Sequence, residues 1–234
     1  SDQLSTSQQL EIESSGKHHF VMSQAIPMQT EARERHWERV YNTKTHFEVS
    51  WHQPEPTLSR RLIEKTELPT TAALLDIGSG TSTLVDQLLL RGYDNLAVLD
   101  TSAHALSLVR KRLGTNATKV QWHQGDITTY SFSRPVDLWH DRAMFHFLVD
   151  PIDRQAYLSR LNETLEPQGH LILATFAVGG PDKCSGLDVV QYDAEKISAT
   201  LGEAFQLVET TNETHRTPTG AEQLFSYFWF IRKT

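Results

Sequence analysis

The sequence predicts a single α/β domain built on an open, doubly wound sheet of seven strands that ends in an antiparallel hairpin. Three observations carry this expectation. Short apolar runs of strand length alternate with stretches of helical spacing from residue 72 to residue 201. A glycine-containing turn, Gly78-Ser79-Gly80, sits where the first run gives way to its helix. Two strand-like runs close the chain with no helix between them. At 234 residues the chain can bury one sizeable core but not two comfortable ones.

Residues 1–30, rich in Ser and Gln, have little to bury and read as a flexible leader, with Met22 and Met28 as alternative native starts. The domain spans 31–234, and 31–66 form a helical segment placed to act as a lid. That segment opens with a charged helix carrying Trp37, Val40 and Tyr41, passes through the run 46–51, and is interrupted by Pro54 and Pro56 before a second helix at 57–66. The first strand falls at 72–77, and its helix at 82–91 turns Leu84, Val85, Leu88 and Leu89 inward. A strand at 95–100 and a helix at 103–113 follow, then strands at 119–122 and 136–140, a helix at 155–165 and a strand at 170–176. A helix at 194–201 precedes the closing strands at 205–210 and 223–232, the last loaded with Phe225, Tyr227, Phe228, Trp229 and Phe230. Runs this apolar suit strands covered on both faces.

Composition narrows the partners. A net charge of -7 disfavours a nucleic-acid backbone as the main ligand. No apolar run approaches the roughly 20 residues that span a bilayer. Cys184 is the single cysteine, so no intramolecular disulfide or multi-cysteine metal site is expected, and no metal ligand set is assigned. With no secretory signal pattern either, a cytoplasmic setting is expected.

In such sheets, ligands bind at the carboxyl ends of the strands. Three strand ends supply matching features. The first ends in Asp76-Ile77-Gly78-Ser79-Gly80-Thr81-Ser82, the second in Asp100-Thr101, and the third is followed by Gly125-Asp126-Ile127. Asp100 is placed to accept both hydroxyls of a ribose, and Asp126 to face an adenine amino group. These residues resemble the motifs of class I S-adenosylmethionine-dependent methyltransferases, a Rossmann-like family. The resemblance spans about residues 62–232; the family commonly has Gly where Ser82 stands. It implies S-adenosylmethionine as cofactor and S-adenosylhomocysteine as product. It also implies donor contacts from Asp76, Gly78, Ser79, Gly80, Ser82, Asp100, Thr101, Gly125, Asp126, Ile127 and His140, and a strand inserted antiparallel beside the fifth. A dinucleotide dehydrogenase is the nearest rival, but its fingerprint wants Gly at Thr83, and Asp76 would repel a pyrophosphate.

On the acceptor side, the run from Leu138 to Phe147 is dense in titratable groups. His140, Asp141 and His146 are the catalytic candidates, able to take or hold an acceptor proton, and Arg142 could pair with a carboxylate on Asp141 or on substrate. The blander reading makes Asp141 a cap and packs His146 beneath a loop. Trp37, Tyr41 and Trp51 resemble the aromatic lid of the thiopurine and halide/thiol-methylating branch. The same spacing is similar to protein-lysine methyltransferases, and core packing explains it equally well. His215 and Arg216, expected in the loop 214–220 between the last strands, are candidates for one wall of the acceptor pocket. The expectation is methyl transfer to a small-molecule nucleophile, a thiol or another soft atom. The alternatives are a protein-lysine N-methyltransferase and a non-catalytic donor-binding module.

Overall fold

The computed structural model describes residues 29–45 and 47–234. Residues 1–28 of the expected leader, and His46, lie outside the described residues. Gln29 and Thr30 already belong to the first helix, α1, at residues 29–43. The remaining helices are α2 (Thr57–Lys65), α3 (Leu84–Leu90), α4 (Ala103–Leu113), α5 (Pro151–Thr164) and α6 (Ala194–Leu201). The strands are β1 (Leu74–Ile77), β2 (Leu96–Asp100), β3 (Val120–Gln124), β4 (Val136–Arg142), β5 (Leu165–Phe176), the short pair β6 (Lys183–Cys184) and β7 (Leu187–Asp188), and then β8 (Phe205–Arg216) and β9 (Glu222–Arg232).

Seven strands form one sheet in the order β3-β2-β1-β4-β5-β9-β8. The first five are mutually parallel, while β9 enters antiparallel to β5 and β8 pairs antiparallel with β9. The apolar runs divide by period two between the two faces. Leu74, Leu138, Ile172, Phe225 and Tyr227 join the core on one side. Leu75, Ile77, Trp139, Leu171, Leu173, Phe228 and Phe230 join the other. Chain order reverses between β1 and β4, so their carboxyl ends open the crevice where a ligand binds.

Local chemistry sets the helix starts. Ser102 accepts the Ala105 N–H at the head of α4, and Asp193 accepts that of Lys196 at the head of α6. Helix α5 begins four residues before its expected start. Asp150 accepts the Ile152 N–H, and Pro151 gives up no hydrogen bond in the first turn. Strand β8 corrects a second expectation: His215 and Arg216 are not loop residues but strand residues paired with Gln223 and Glu222. The segment 211–216 lies beyond the expected strand because it is polar, yet it continues an edge strand with one wet face. Inside the glycine-rich stretch 179–186, β6 turns the Cys184 side chain into the core.

Candidate active site

Backbone geometry at the end of β1 begins the site. Gly78 and Gly80 have φ of +62° and +50°, a region that suits glycine. The N–H groups of Gly78 and Ser79 both reach the Leu99 carbonyl, at 2.8 and 3.2 Å, which folds the turn against β2. Gly80 donates to Asp100 Oδ2 at 2.7 Å, and Ser102 donates to Asp100 Oδ1 at 2.8 Å. Burial, with help from nearby Asp76 and Glu38, raises the Asp100 pKa to about 6 against the pull of those two N–H bonds. Each carboxylate oxygen keeps a second lone pair for a hydroxyl donor. No side chain can be added at this turn without displacement. A Cβ on Gly78 would meet Met144 Cβ at 2.6 Å, and one on Gly80 would overlap the Tyr41 hydroxyl.

Asp126 is buried beyond β3. Its Oδ1 accepts from the Thr128 N–H and hydroxyl, and its Oδ2 accepts Arg33 Nε at 2.6 Å. Arg33 also reaches Asp153 at 2.6 Å and Thr128 Oγ1 at 2.9 Å, so one α1 side chain fastens three groups of the sheet side. Arg33, Trp37 and Tyr41 recur every four residues and therefore share one face of α1. On that face Trp37 packs on Trp51 and Phe147, with ring centroids 5.6 and 4.9 Å away, and Tyr41 packs on Trp51 at 6.2 Å. Glu38 adds a 2.6 Å contact from the Ser102 hydroxyl.

These elements line a cleft with about 790 Å³ of empty space, part of it open to solvent. One end is lined by Arg33, Asp100, Thr101, Gly125, Asp126 and Ile127, which suits a nucleoside. At the other end Arg142, Phe147, Phe176, Cys184 and Phe225 meet beneath Trp37 and Trp51. An adjoining cavity, with about 490 Å³ of empty space partly open to solvent, takes in Asp76, Ser79, Ser82, His140, Ser59 and Arg142. There, His140 Nδ1 lies 2.6 Å from Asp76 Oδ1, and its Nε2 lies 2.9 Å from Ser59 Oγ. The Asp-His-Ser order is that of a hydrolytic triad, but Ser59 is fully buried, which makes it a brace between α2 and the turn rather than a nucleophile.

Four sequence candidates fall elsewhere. Asp141 is fully buried and does not line either cavity; it accepts from the N–H groups of Met144 and Phe145 and from the Tyr157 hydroxyl. Its bonds to the Met144 and Phe145 N–H groups match the capping reading. His146 also lines neither cavity, and its Nδ1 accepts the Phe176 N–H. Burial lowers its pKa to about 3, so the ring stays neutral and cannot serve as a proton store near neutral pH. His215 meets the Ser50 carbonyl at 2.7 Å, and exposed Arg216 pairs with Glu222. Neither forms a cavity wall. Conversely, sequence reasoning missed Arg33, although its four-residue spacing from Trp37 and Tyr41 was a usable signal. It also missed Phe147, Phe176 and Phe225, which looked like ordinary core.

Burial raises the Asp141 pKa to about 7, partly offset by its three donors. In the unfolded chain the carboxyl ionises near pH 4. Between these values the native state holds a proton that the unfolded state has released, so rising pH lowers stability through this group. Asp141→Asn lacks that term. Urea denaturation from pH 4 to 8 should therefore show the variant gaining on the wild type, by at most about 1.4 kcal/mol per pH unit. A constant difference across the range would reject the buried, raised carboxyl.

Residues 74–169 match the family model of a methyltransferase domain. No curated protein matches the chain. Among solved structures, one concerned with conversion of a disulfide bond into a thioacetal group during echinomycin biosynthesis is similar with a TM-score of 0.67 and 17% identity, covering 84% of this chain and 90% of that one. The N-methyltransferase NodS from Bradyrhizobium japonicum WM9, in complex with S-adenosylhomocysteine, has a TM-score of 0.62 and 16% identity, covering 85% of this chain and 100% of that one. The glycopeptide N-methyltransferase MtfA, also holding S-adenosylhomocysteine, has a TM-score of 0.59 and 15% identity over 75% of this chain and 89% of that one. At such identities the likeness is one of fold. The family match adds that residues 74–169 are similar to a methyltransferase domain.

Proposed function

We propose that the chain transfers a methyl group from S-adenosylmethionine to a small-molecule nucleophile, a thiol or another soft atom, beneath the aromatic roof of residues 31–66. The observation that carries the reading is the far end of the cavity. Among the described residues, no carboxylate or imidazole lines it; it has the Arg142 guanidinium, the Cys184 thiol and aromatic walls. An acceptor seated there must be nucleophilic without a protein base. A thiolate meets that requirement, whereas an ammonium must first lose a proton. A lysine ammonium at roughly 4–8 Å from Arg142 would also be opposed by about 2–4 kcal/mol at an effective dielectric near 20, of which Glu213 offsets a part. Burial pushes the Cys184 thiol up, so Cys184 itself stays protonated and apolar in character.

S-adenosylmethionine supplies an electrophilic methyl on a sulfonium. The chain supplies position and dryness. Asp100 and the Gly78–Gly80 turn hold the ribose, Asp126 and Ile127 flank the base, and the Asp76–His140 pair borders the adjoining cavity, where the amino-acid end of the donor fits. Trp37, Tyr41, Trp51 and Phe147 keep water from the reacting atoms. The aromatic lid of the thiopurine and halide/thiol-methylating branch is the nearest analogy for this roof. NodS and MtfA are N-methyltransferases, so amines belong in any test panel.

The experiment is calorimetric titration with S-adenosylmethionine, S-adenosylhomocysteine and NAD, followed by a product assay against thiols, amines, halides and protein lysates. Binding of the first two with turnover on thiols is expected. Tight NAD binding, or none by the methyl donor, would sink the reading; turnover on lysate protein alone would select the protein N-methyltransferase, and binding with no turnover the regulatory module.

A further inference from the structure

The Arg142 side chain leaves the end of β4 and crosses away from the donor half of the sheet. Its Nε donates to the Tyr227 hydroxyl at 2.8 Å, its Nη1 donates to the Trp51 carbonyl at 3.0 Å, and the guanidinium lies 4.6 Å over the Phe225 ring. Those contacts place its head above β9, whereas Gly78, Asp100 and Asp126 lie at the ends of β1, β2 and beyond β3 on the other side of β4. The side chain is nine-tenths buried and lines both the cavity and the adjoining one. Nη2, however, has no hydrogen-bond partner. The nearest anion, Glu213 Oε2, stands 3.8 Å away, beyond hydrogen-bonding distance, and already accepts from Tyr227 and Gln53. A second buried donor lies behind the aromatic walls of the cavity, not on its surface. His146 Nδ1 is an acceptor for the Phe176 N–H, so the proton of the neutral ring is on Nε2, which also lacks a partner. That ring packs on Phe147, Phe176 and Phe225, three walls of the cavity, with centroids 4.6, 4.6 and 6.4 Å away.

A buried cationic N–H without an acceptor is costly, and such groups are normally satisfied when a ligand is bound. We infer that the far end of the cavity is an acid-binding subsite, in which the Arg142 guanidinium takes the carboxylate of an acceptor whose flat apolar body lies among Phe147, Phe176 and Phe225. This rests on the methyltransferase reading and adds to it the acceptor's class: a small aromatic or apolar acid bearing the nucleophile. The anionic group docks over β9, and the nucleophile is left to face the Gly78 turn.

The test uses the full chain saturated with S-adenosylhomocysteine and titrated with 2-naphthoate or its uncharged isostere 2-naphthamide. The acid should bind more tightly by on the order of tenfold, the usual scale of one charge-assisted hydrogen bond. Arg142→Met should abolish that preference while S-adenosylhomocysteine affinity stays within about twofold, and Arg142→Lys should keep part of it. Equal binding of acid and amide by the wild type, or failure of both to bind, overturns the subsite; this arm needs no variant to fold. A large loss of S-adenosylhomocysteine affinity in Arg142→Met would assign the arginine to the donor's own carboxylate and equally overturn it. Absence of S-adenosylhomocysteine binding in the wild type would instead defeat the methyltransferase reading itself.

Discussion

Arg33→Ala is expected to lower stability by about 3 kcal/mol, the scale for removing one partner from a buried ion pair, and the melting temperature by roughly 10 °C for a chain of this length. Arg33 is the shared cation of Asp126 and Asp153, whose side chains are 3% and 6% exposed. Without it, two desolvated carboxylates that already repel one another have no counter-ion. Most of the loss is the penalty of the abandoned carboxylates, not the intrinsic worth of the pair. Adding Asp153→Asn should therefore recover a good part of it. Helix α1 would separate first, because its other ties are the aromatic face, the contacts from Ser102 and His104 to Glu38, and a long one from Gln29 to Asp150. Thermal melts of the two variants decide the matter. A drop below about 1 kcal/mol, the ordinary value of an exposed pair, would mean that α1 is held mainly by its rings and the Glu38 contacts.

Asp100→Ala should weaken S-adenosylhomocysteine binding by about 1.5–3 kcal/mol, or roughly 10–150-fold. Two effects add. The ribose hydroxyls lose a charged acceptor, and the N–H groups of Gly80 and Ser102 lose the carboxylate that fixes the turn and caps the approach to α4. Acidification should imitate the substitution. With its pKa raised to about 6, Asp100 is largely ionised at pH 7.5 and largely protonated at pH 5. A protonated carboxyl has less to offer as an acceptor, so wild-type affinity should fall as pH drops through 6, while that of Asp100→Ala should lack this component. Calorimetry at pH 7.5, 6.5 and 5.5 on both proteins reads the two effects together. Unchanged affinity in the variant would move the ribose site away from β2.

The residues proposed to hold the donor could be grouped from the sequence because they are adjacent to strand ends. Asp76 to Ser82, Asp100-Thr101 and Gly125-Asp126-Ile127 each follow an apolar run, and a parallel sheet brings consecutive strand ends together whatever the rest of the chain does. The acceptor half was not legible in the same way. A dense run of polar residues suggested His140, Asp141 and His146, but consecutive residues of a strand alternate sides, and within a single run chemistry says nothing about which side a cavity occupies. Thus Arg142 lines the cavity while its neighbour Asp141 points into the core. His215 was misplaced in a loop for another reason: a polar edge strand has the composition of a loop.

By itself, then, the sequence determined the doubly wound sheet, its antiparallel closing strands and the three acidic or glycine-bearing strand ends. All of these follow from local periodicity and from residues a few positions apart. Only the tertiary structure decided that Arg33 clamps Asp126 to Asp153, that phenylalanines from β5 and β9 wall the far end of the cavity, and that Arg142 keeps a buried N–H unpaired. Those facts depend on burial and on contacts between residues some 80 to 120 positions apart, where desolvation, which no local pattern encodes, makes a charge either an anchor or an unmet demand for a ligand.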